Sequence, residues 1–163
     1  MGPLAWRQAS EAFDEKRIQI LGGLIALLVF VQAASIAFAF SGLGVWIEEG
    51  NTLDAAAMES RSLDFTGVLG FPVHSINGMM LIPLLSLILL IVSFFAKLPK
   101  GVATAAAVLG LVIVQVFLGI TSSSTAYAGL LHGINALLVF GAAASAARLG
   151  MVADRVDAPA ARA

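Results

Sequence analysis

Residues 101–121 read GVATAAAVLGLVIVQVFLGIT, a run without a single charged side chain. A helix needs about 20 predominantly apolar residues to cross the hydrocarbon core of a bilayer, so this run predicts a transmembrane helix. Three further runs have the same character, at about 18–40, 73–96 and 128–149. The sequence therefore predicts an all-α, integral membrane protein with four spans.

The composition of the whole chain agrees with this prediction. Of the 163 residues, 60% are hydrophobic and 12% are charged, the latter about half the charged fraction of a soluble domain. The formal net charge is −1, so nothing favours nucleic acid as a partner. The chain has no cysteine, which excludes disulfides and thiolate metal sites. The first run is too long for a secretory signal, whose apolar part is about 7–15 residues, and we expect it to stay as a helix.

The distribution of cations predicts the orientation. If the amino terminus is cytoplasmic, eight of the nine Lys and Arg residues lie inside and only Arg61 lies outside. Positively charged loops stay in the cytoplasm. We therefore expect an antiparallel four-helix bundle in the plasma (inner) membrane, crossing it four times, with both termini cytoplasmic.

The chain is expected to form one domain over residues 1–150. The outer loop, about 41–72, contains a stretch at 52–63 that predicts a short surface helix, with Asn51 or Thr52 as its N-cap. The tail at 151–163 is rich in Ala, Arg and Asp, and we expect it to be disordered.

The two histidines of the chain occur in the same short phrase, HSING at 74–78 and HGINA at 132–136. Each phrase begins a helix that runs from outside to inside, so His74 and His132 lie at a comparable depth. Helices two and four of an antiparallel bundle are parallel and can lie diagonally across the core. Two such imidazoles can hold a flat ligand between them. Haem requires two axial nitrogens roughly 4 Å apart, one on each side of the iron, and an apolar slot for the porphyrin. We predict His74 and His132 as axial ligands of one haem b per chain.

Other residues around the histidines predict a pocket. Asn77 and Asn135 lie one turn below the histidines, where they can orient a ring or bond the neighbouring helix. Gly78 and Ala136 leave room on the same face. The first and third spans contain LVFVQ at 28–32 and LVIVQ at 111–115. Gln32 and Gln115 should face the interior because glutamine is costly against lipid.

The repeated phrases suggest two copies of a two-helix unit, a Gln helix followed by a His helix. Arg61 is the one outer cation and a candidate partner for haem propionates. Each feature also has a structural interpretation, in which interfacial histidines bond locally, the amides lock helices and the small residues permit close packing. A zinc site is poorly supported, because only two imidazoles are available and no Asp, Glu or Cys lies beside them.

The segment VQVFLGI at 114–120, a short loop and LHGINA at 131–136 resemble the third and fourth helices of one half of haem A synthase. Small four-helix membrane proteins of actinobacteria are similar. Each half of the synthase has axial histidines at the outer ends of its second and fourth helices, positions that His74 and His132 match. The resemblance implies the four-helix fold and these ligands. The run GFPVHS at 70–75 holds neither the acids nor the arginine found around that histidine in the family, so hydroxylation is not carried over.

The expected function is electron transfer, or an accessory role in a respiratory or redox complex, rather than stand-alone catalysis. A homodimer and a quinone are candidate partners besides the bilayer. One alternative is a haem-free membrane scaffold subunit. The other is a half-size enzyme like haem A synthase, which would need an essential carboxylate among Glu48, Glu49 and Glu59.

Overall fold

The computed structural model describes residues 3–60 and 63–157, with side-chain placement at 13–57 and 63–152. Every regular element in these ranges is a helix. The helices are α1 (Pro3–Glu48), α2 (Ala55–Ser60), α3 (Gly70–Ser93), α4 (Gly101–Thr121) and α5 (Ala126–Asp157). All of these except the short α2 are long and apolar enough to cross a membrane, as the sequence predicts.

The ends of α1 and α5 differ from the expected boundaries. Helix α1 continues past residue 40, so residues 41–48 of the expected outer loop are helical. It stops just before Gly50, whose φ of +94° is the left-handed geometry that commonly terminates a helix. Helix α5 continues to Asp157, so residues 151–157 of the expected disordered tail are helical; residues 158–163 lie outside the described part.

The loop helix is shorter than expected and has another cap. Helix α2 covers Ala55–Ser60 rather than 52–63. The backbone N–H of Ala57 donates to Asp54 Oδ1 at 2.8 Å, so Asp54 takes the N-cap role that we predicted for Asn51 or Thr52. The Asn51 amide instead donates to the carbonyl of Trp46 at 2.9 Å, near the carboxyl end of α1.

The four long helices pack in a ring. Helix α1 contacts α3 and α5, and α4 contacts the same two helices from the other side. The two histidine-bearing helices, α3 and α5, therefore occupy opposite corners. Fully buried Ile25, Leu89, Val108 and Val139 fill the centre of the bundle.

Small residues allow a close contact between α1 and α5. A Cβ at Gly22 would lie 2.6 Å from Ala147 N and 2.8 Å from Ala143 O, so the two backbones touch there. The neighbouring Gly23 has nothing within 4 Å of such an atom. Small residues at helix contacts are typical of bundles in lipid, where close backbone approach supplies much of the packing energy.

The outer surface of the bundle is apolar. Phe30, Phe117 and Leu137 are 67%, 67% and 73% exposed, and they lie in the long helices. Exposed apolar surface of this extent is unfavourable in water but suits contact with lipid chains. The protein is a multi-pass membrane protein by the length and composition of these helices.

Helix α3 changes from α-helical to π-helical geometry shortly after His74. Residues Asn77–Leu81 form a π-helical segment, in which Ile82 N–H donates to Asn77 O. Pro83 has no N–H, so the carbonyl of Met79 lacks the donor that an α-helix would provide four residues later. Such wide turns often occur at functional sites, and this one begins at the last polar residue of the first histidine phrase.

Candidate functional site

The two histidine side chains meet in the centre of the bundle. His74 lies in the first turns of α3 and His132 in those of α5. Their ring centroids are 6.1 Å apart and the rings are inclined at 54°. Both side chains are half-buried. The structure therefore brings together two imidazoles separated by 58 residues in the chain (132 − 74).

Each imidazole is held by the neighbouring helix through the same atom. His74 Nδ1 lies 3.1 Å from the carbonyl oxygen of Gln32, and His132 Nδ1 lies 3.1 Å from that of Gln115. A carbonyl oxygen only accepts, so both Nδ1 atoms carry the proton and donate it. In the neutral ring this leaves Nε2 with a free lone pair. Both rings thus have the tautomer that can bind a metal through Nε2.

The two asparagines repeat this arrangement one turn deeper. Asn77 Nδ2 donates to Leu28 O at 3.0 Å, and Asn135 Nδ2 donates to Leu111 O at 2.9 Å. Both asparagines are buried. In both halves of the chain, the His and Asn of the His-x-x-Asn phrase therefore bond the backbone carbonyls of the Gln and Leu of a Leu-x-x-x-Gln phrase in the neighbouring helix. The predicted duplication thus has equivalent hydrogen bonds in both halves.

The glutamine side chains break this symmetry. Gln115 Nε2 donates to His132 O at 3.0 Å and lies 3.1 Å from His132 Nε2. Because His132 Nε2 bears the lone pair, the amide is the donor of that bond. Gln115 Oε1 accepts from Asn135 Nδ2 at 2.7 Å. Every polar atom of this side chain is therefore engaged with α5.

Gln32 takes a different position. Its Oε1 is buried without a hydrogen-bond partner, as is Oδ1 of Asn77. Its Nε2 occupies the space that a Cβ at Gly78 would need. The corresponding residue after the second histidine is Ala136, which carries that methyl group. The Gly78/Ala136 difference therefore explains why Gln32 folds against α3 while Gln115 is directed to its histidine.

Two cavities lie on either side of the histidine pair. The larger, about 380 Å³, is walled mainly by α1 and α5, and the smaller, about 160 Å³, mainly by α3 and α4. The two cavities share five lining residues: Gln32, His74, Gly78, Gln115 and His132. Among the described residues no charged side chain lines either cavity. The histidine pair therefore borders two cavities without charged walls, of which the larger is lined mainly by apolar side chains.

Other predicted site residues lie elsewhere. Ala136 lines the larger cavity, whereas neither asparagine lines a cavity. Arg61, the predicted propionate partner, lies outside the described residues, as does the side chain of Glu59. Glu49 lines a separate outer cavity with Trp46 and Asp64.

The apolar walls of the larger cavity were not predicted as site residues. Ile82, Val112 and Val139 are buried there, and Phe30 and Phe140 line its edge. In the sequence they are indistinguishable from lipid-facing residues of the same type. Leu28 and Leu111, whose carbonyls accept these bonds, could have been found in the sequence, because both begin the repeated Leu-Val-x-Val-Gln phrase.

Within the described part of the chain, no group of three or more His, Cys, Asp or Glu side chains is placed to hold a metal ion. Comparison with family models, curated proteins and solved structures finds no match.

Proposed function

We propose that this protein binds one b-type haem between His74 and His132 and carries electrons, alone or as an accessory subunit of a respiratory or redox complex. The observation that carries the proposal is the approach of the two imidazoles to 6.1 Å between centroids. Both are fixed as Nδ1–H tautomers by carbonyls of neighbouring helices.

The spacing fits two ligands of one metal. An imidazole nitrogen binds a metal at about 2.0–2.1 Å and lies roughly 1.1 Å from its ring centroid, so two axial rings have centroids roughly 6.3 Å apart. The measured separation is 6.1 Å. Two histidines suffice for haem because the porphyrin supplies the other four nitrogens, whereas a structural zinc ion would need further protein ligands.

The surroundings also suit a haem core. The larger cavity is lined mainly by apolar side chains, and no charged side chain among the described residues lines either cavity. When bound, haem supplies a one-electron carrier whose potential is tuned by its axial ligands and burial. The carbonyls of Gln32 and Gln115 orient the rings, and Val112, Val139 and Ile82 exclude water.

We further propose that the bundle is antiparallel, with both termini cytoplasmic in the plasma (inner) membrane. Residues 28 and 32 of α1 pair with 77 and 74 of α3, so residue number rises along one helix as it falls along the other. The positive-inside rule then places the histidines in the outer half of the bilayer. The resemblance to one half of haem A synthase supports the same arrangement.

The spectrum of the purified protein tests the haem proposal. In detergent, after supplementation with haem, we expect reduced-minus-oxidised bands of a bis-histidine b-type cytochrome. His74→Ala and His132→Ala should each abolish these bis-histidine bands, because either variant removes one of the two axial ligands. Gln19→Met, a polar-to-apolar change away from the site, serves as the control. Absence of b-type bands, or bands unchanged by both histidine variants, would disprove the proposal.

A haem-free scaffold subunit is the second candidate, favoured by the network that joins Gln115 and Asn135 to α5 and α4. In that case replacing both histidines by glutamine would leave expression and partner recovery at wild-type levels, and no haem would copurify. The spectrum therefore separates the two candidates.

A further inference from the structure

We propose that the two axial positions are unequal: His74 is the permanent ligand, and His132 is exchangeable because the Gln115 amide can donate a hydrogen bond to its released Nε2. This inference rests on the proposed haem site. It adds a second property, the capacity to bind a small neutral diatomic ligand such as carbon monoxide in place of His132.

The first step is the competition for His132 Nε2. The same lone pair that would bind iron accepts a hydrogen bond from Gln115 Nε2 at 3.1 Å. Gln115 is held for this role by two further bonds, to His132 O and from Asn135 Nδ2. A released His132 ring therefore has a partner already in place. This lowers the cost of leaving a polar ring nitrogen in an apolar core.

The second step is the contrast with His74. In the described part of the chain, the one hydrogen bond of the His74 imidazole is that of Nδ1 to Gln32 O, and no donor there bonds its Nε2. The Gln32 amide is turned towards Gly78 instead. A released His74 would leave its Nε2 without a hydrogen-bond partner, so its release from iron would cost more free energy than that of His132.

The third step concerns space. The smaller cavity, about 160 Å³, is lined by His132, Gly119 and Gln115. A Cβ at residue 119 would lie 3.1 Å from His132 Cε1, so the glycine leaves this side of the ring clear. If haem is bound by both histidines, the exchange would break one iron–nitrogen bond, to His132, and form one iron–carbon bond, to carbon monoxide. No electron or proton is transferred, and the lone pair of Nε2 passes from the iron to the Gln115 N–H.

Carbon monoxide titration of the dithionite-reduced protein tests the proposal. Gln115→Met should weaken carbon monoxide binding by roughly two- to tenfold, the range that one hydrogen bond contributes to an equilibrium constant. The symmetry-related Gln32→Met should have a smaller effect, and Gln19→Met, outside the site, none. Equal effects of Gln115→Met and Gln32→Met in proteins with normal b-type bands would overturn the inference and leave the haem proposal standing.

A second measurement needs no haem. Because the chain has only two histidines, ¹⁵N-histidine labelling gives one Nε2 resonance for each. We expect one hydrogen-bonded and one free Nε2 in the ligand-free protein, and two free ones in Gln115→Met. Two alike resonances in the wild type would overturn the inference. Absence of b-type bands in every variant would overturn the haem proposal and this inference together.

Discussion

At the scale of single residues, the site pairs side-chain N–H groups with backbone carbonyls of a neighbouring helix. His74 and Asn77 bond the carbonyls of Gln32 and Leu28, and His132 and Asn135 bond those of Gln115 and Leu111. Polar groups in a bilayer find no water, so each such bond both satisfies a donor and fixes a helix register.

The asparagines should differ in their contribution to stability. Asn135 makes two hydrogen bonds and holds Gln115, whereas Asn77 makes one. We expect Asn135→Leu to lower the free energy of unfolding by about 1–2 kcal/mol and Asn77→Leu by less, since interhelical bonds in membranes average about 0.6 kcal/mol. Unfolding by SDS titration measures both. A larger loss for Asn77→Leu would contradict the assigned network.

Sequence alone predicts part of this residue-level order. The matched phrases at 74–78 and 132–136 predicted that two imidazoles share one depth, because helical rise is fixed. They did not predict that the Gln115 amide reaches His132 while Gln32 does not. That difference depends on the methyl group that Ala136 has and Gly78 lacks. Its effect on the glutamine side chains appears only when the helices are packed together.

At the scale of elements, the chain uses small residues and one proline to shape four apolar helices. The π-helical segment of α3 precedes Pro83, and the close contact of α1 with α5 depends on Gly22. The existence and order of the spans follow from apolar runs. Their ends do not, since α1 continues to Glu48 although we predicted that the first span ends at about residue 40.

Adjacent glycines in α1 provide a matched test of this packing. Gly22→Val should destabilise the bundle, because the new side chain would meet the backbone of α5 at Ala143 and Ala147. Overpacking of this kind costs about 1–3 kcal/mol or more. Gly23→Val adds the same atoms where nothing lies within 4 Å and should behave like the wild type. The thermal midpoint in detergent reports the difference, and equal midpoints would contradict the α1–α5 contact.

At the scale of the whole molecule, charge asymmetry sets the orientation that we propose. The chain has no native cysteine, so single introduced cysteines are uniquely reactive. Ser124, between α4 and α5, and Pro99, between α3 and α4, are both exposed and lie on opposite sides of the bilayer in this topology.

A membrane-impermeant maleimide should label Ser124→Cys in intact cells, and Pro99→Cys only after permeabilisation, because the reagent reaches only the outer face. A cysteine-free wild type controls for background labelling. The reverse pattern would show that the termini lie outside.

The contact between α1 and α5 has a consequence for biosynthesis. Helix α1 precedes α5 in the chain, and its Gly22 packs against Ala143 and Ala147 of that later helix. During synthesis the Gly22 face of α1 therefore lacks this partner until α5 has been made, and His132 likewise follows His74. Under the proposed function, a nascent chain that contains His74 but not yet α5 would offer haem a single ligand, so binding by both histidines would follow the synthesis of α5.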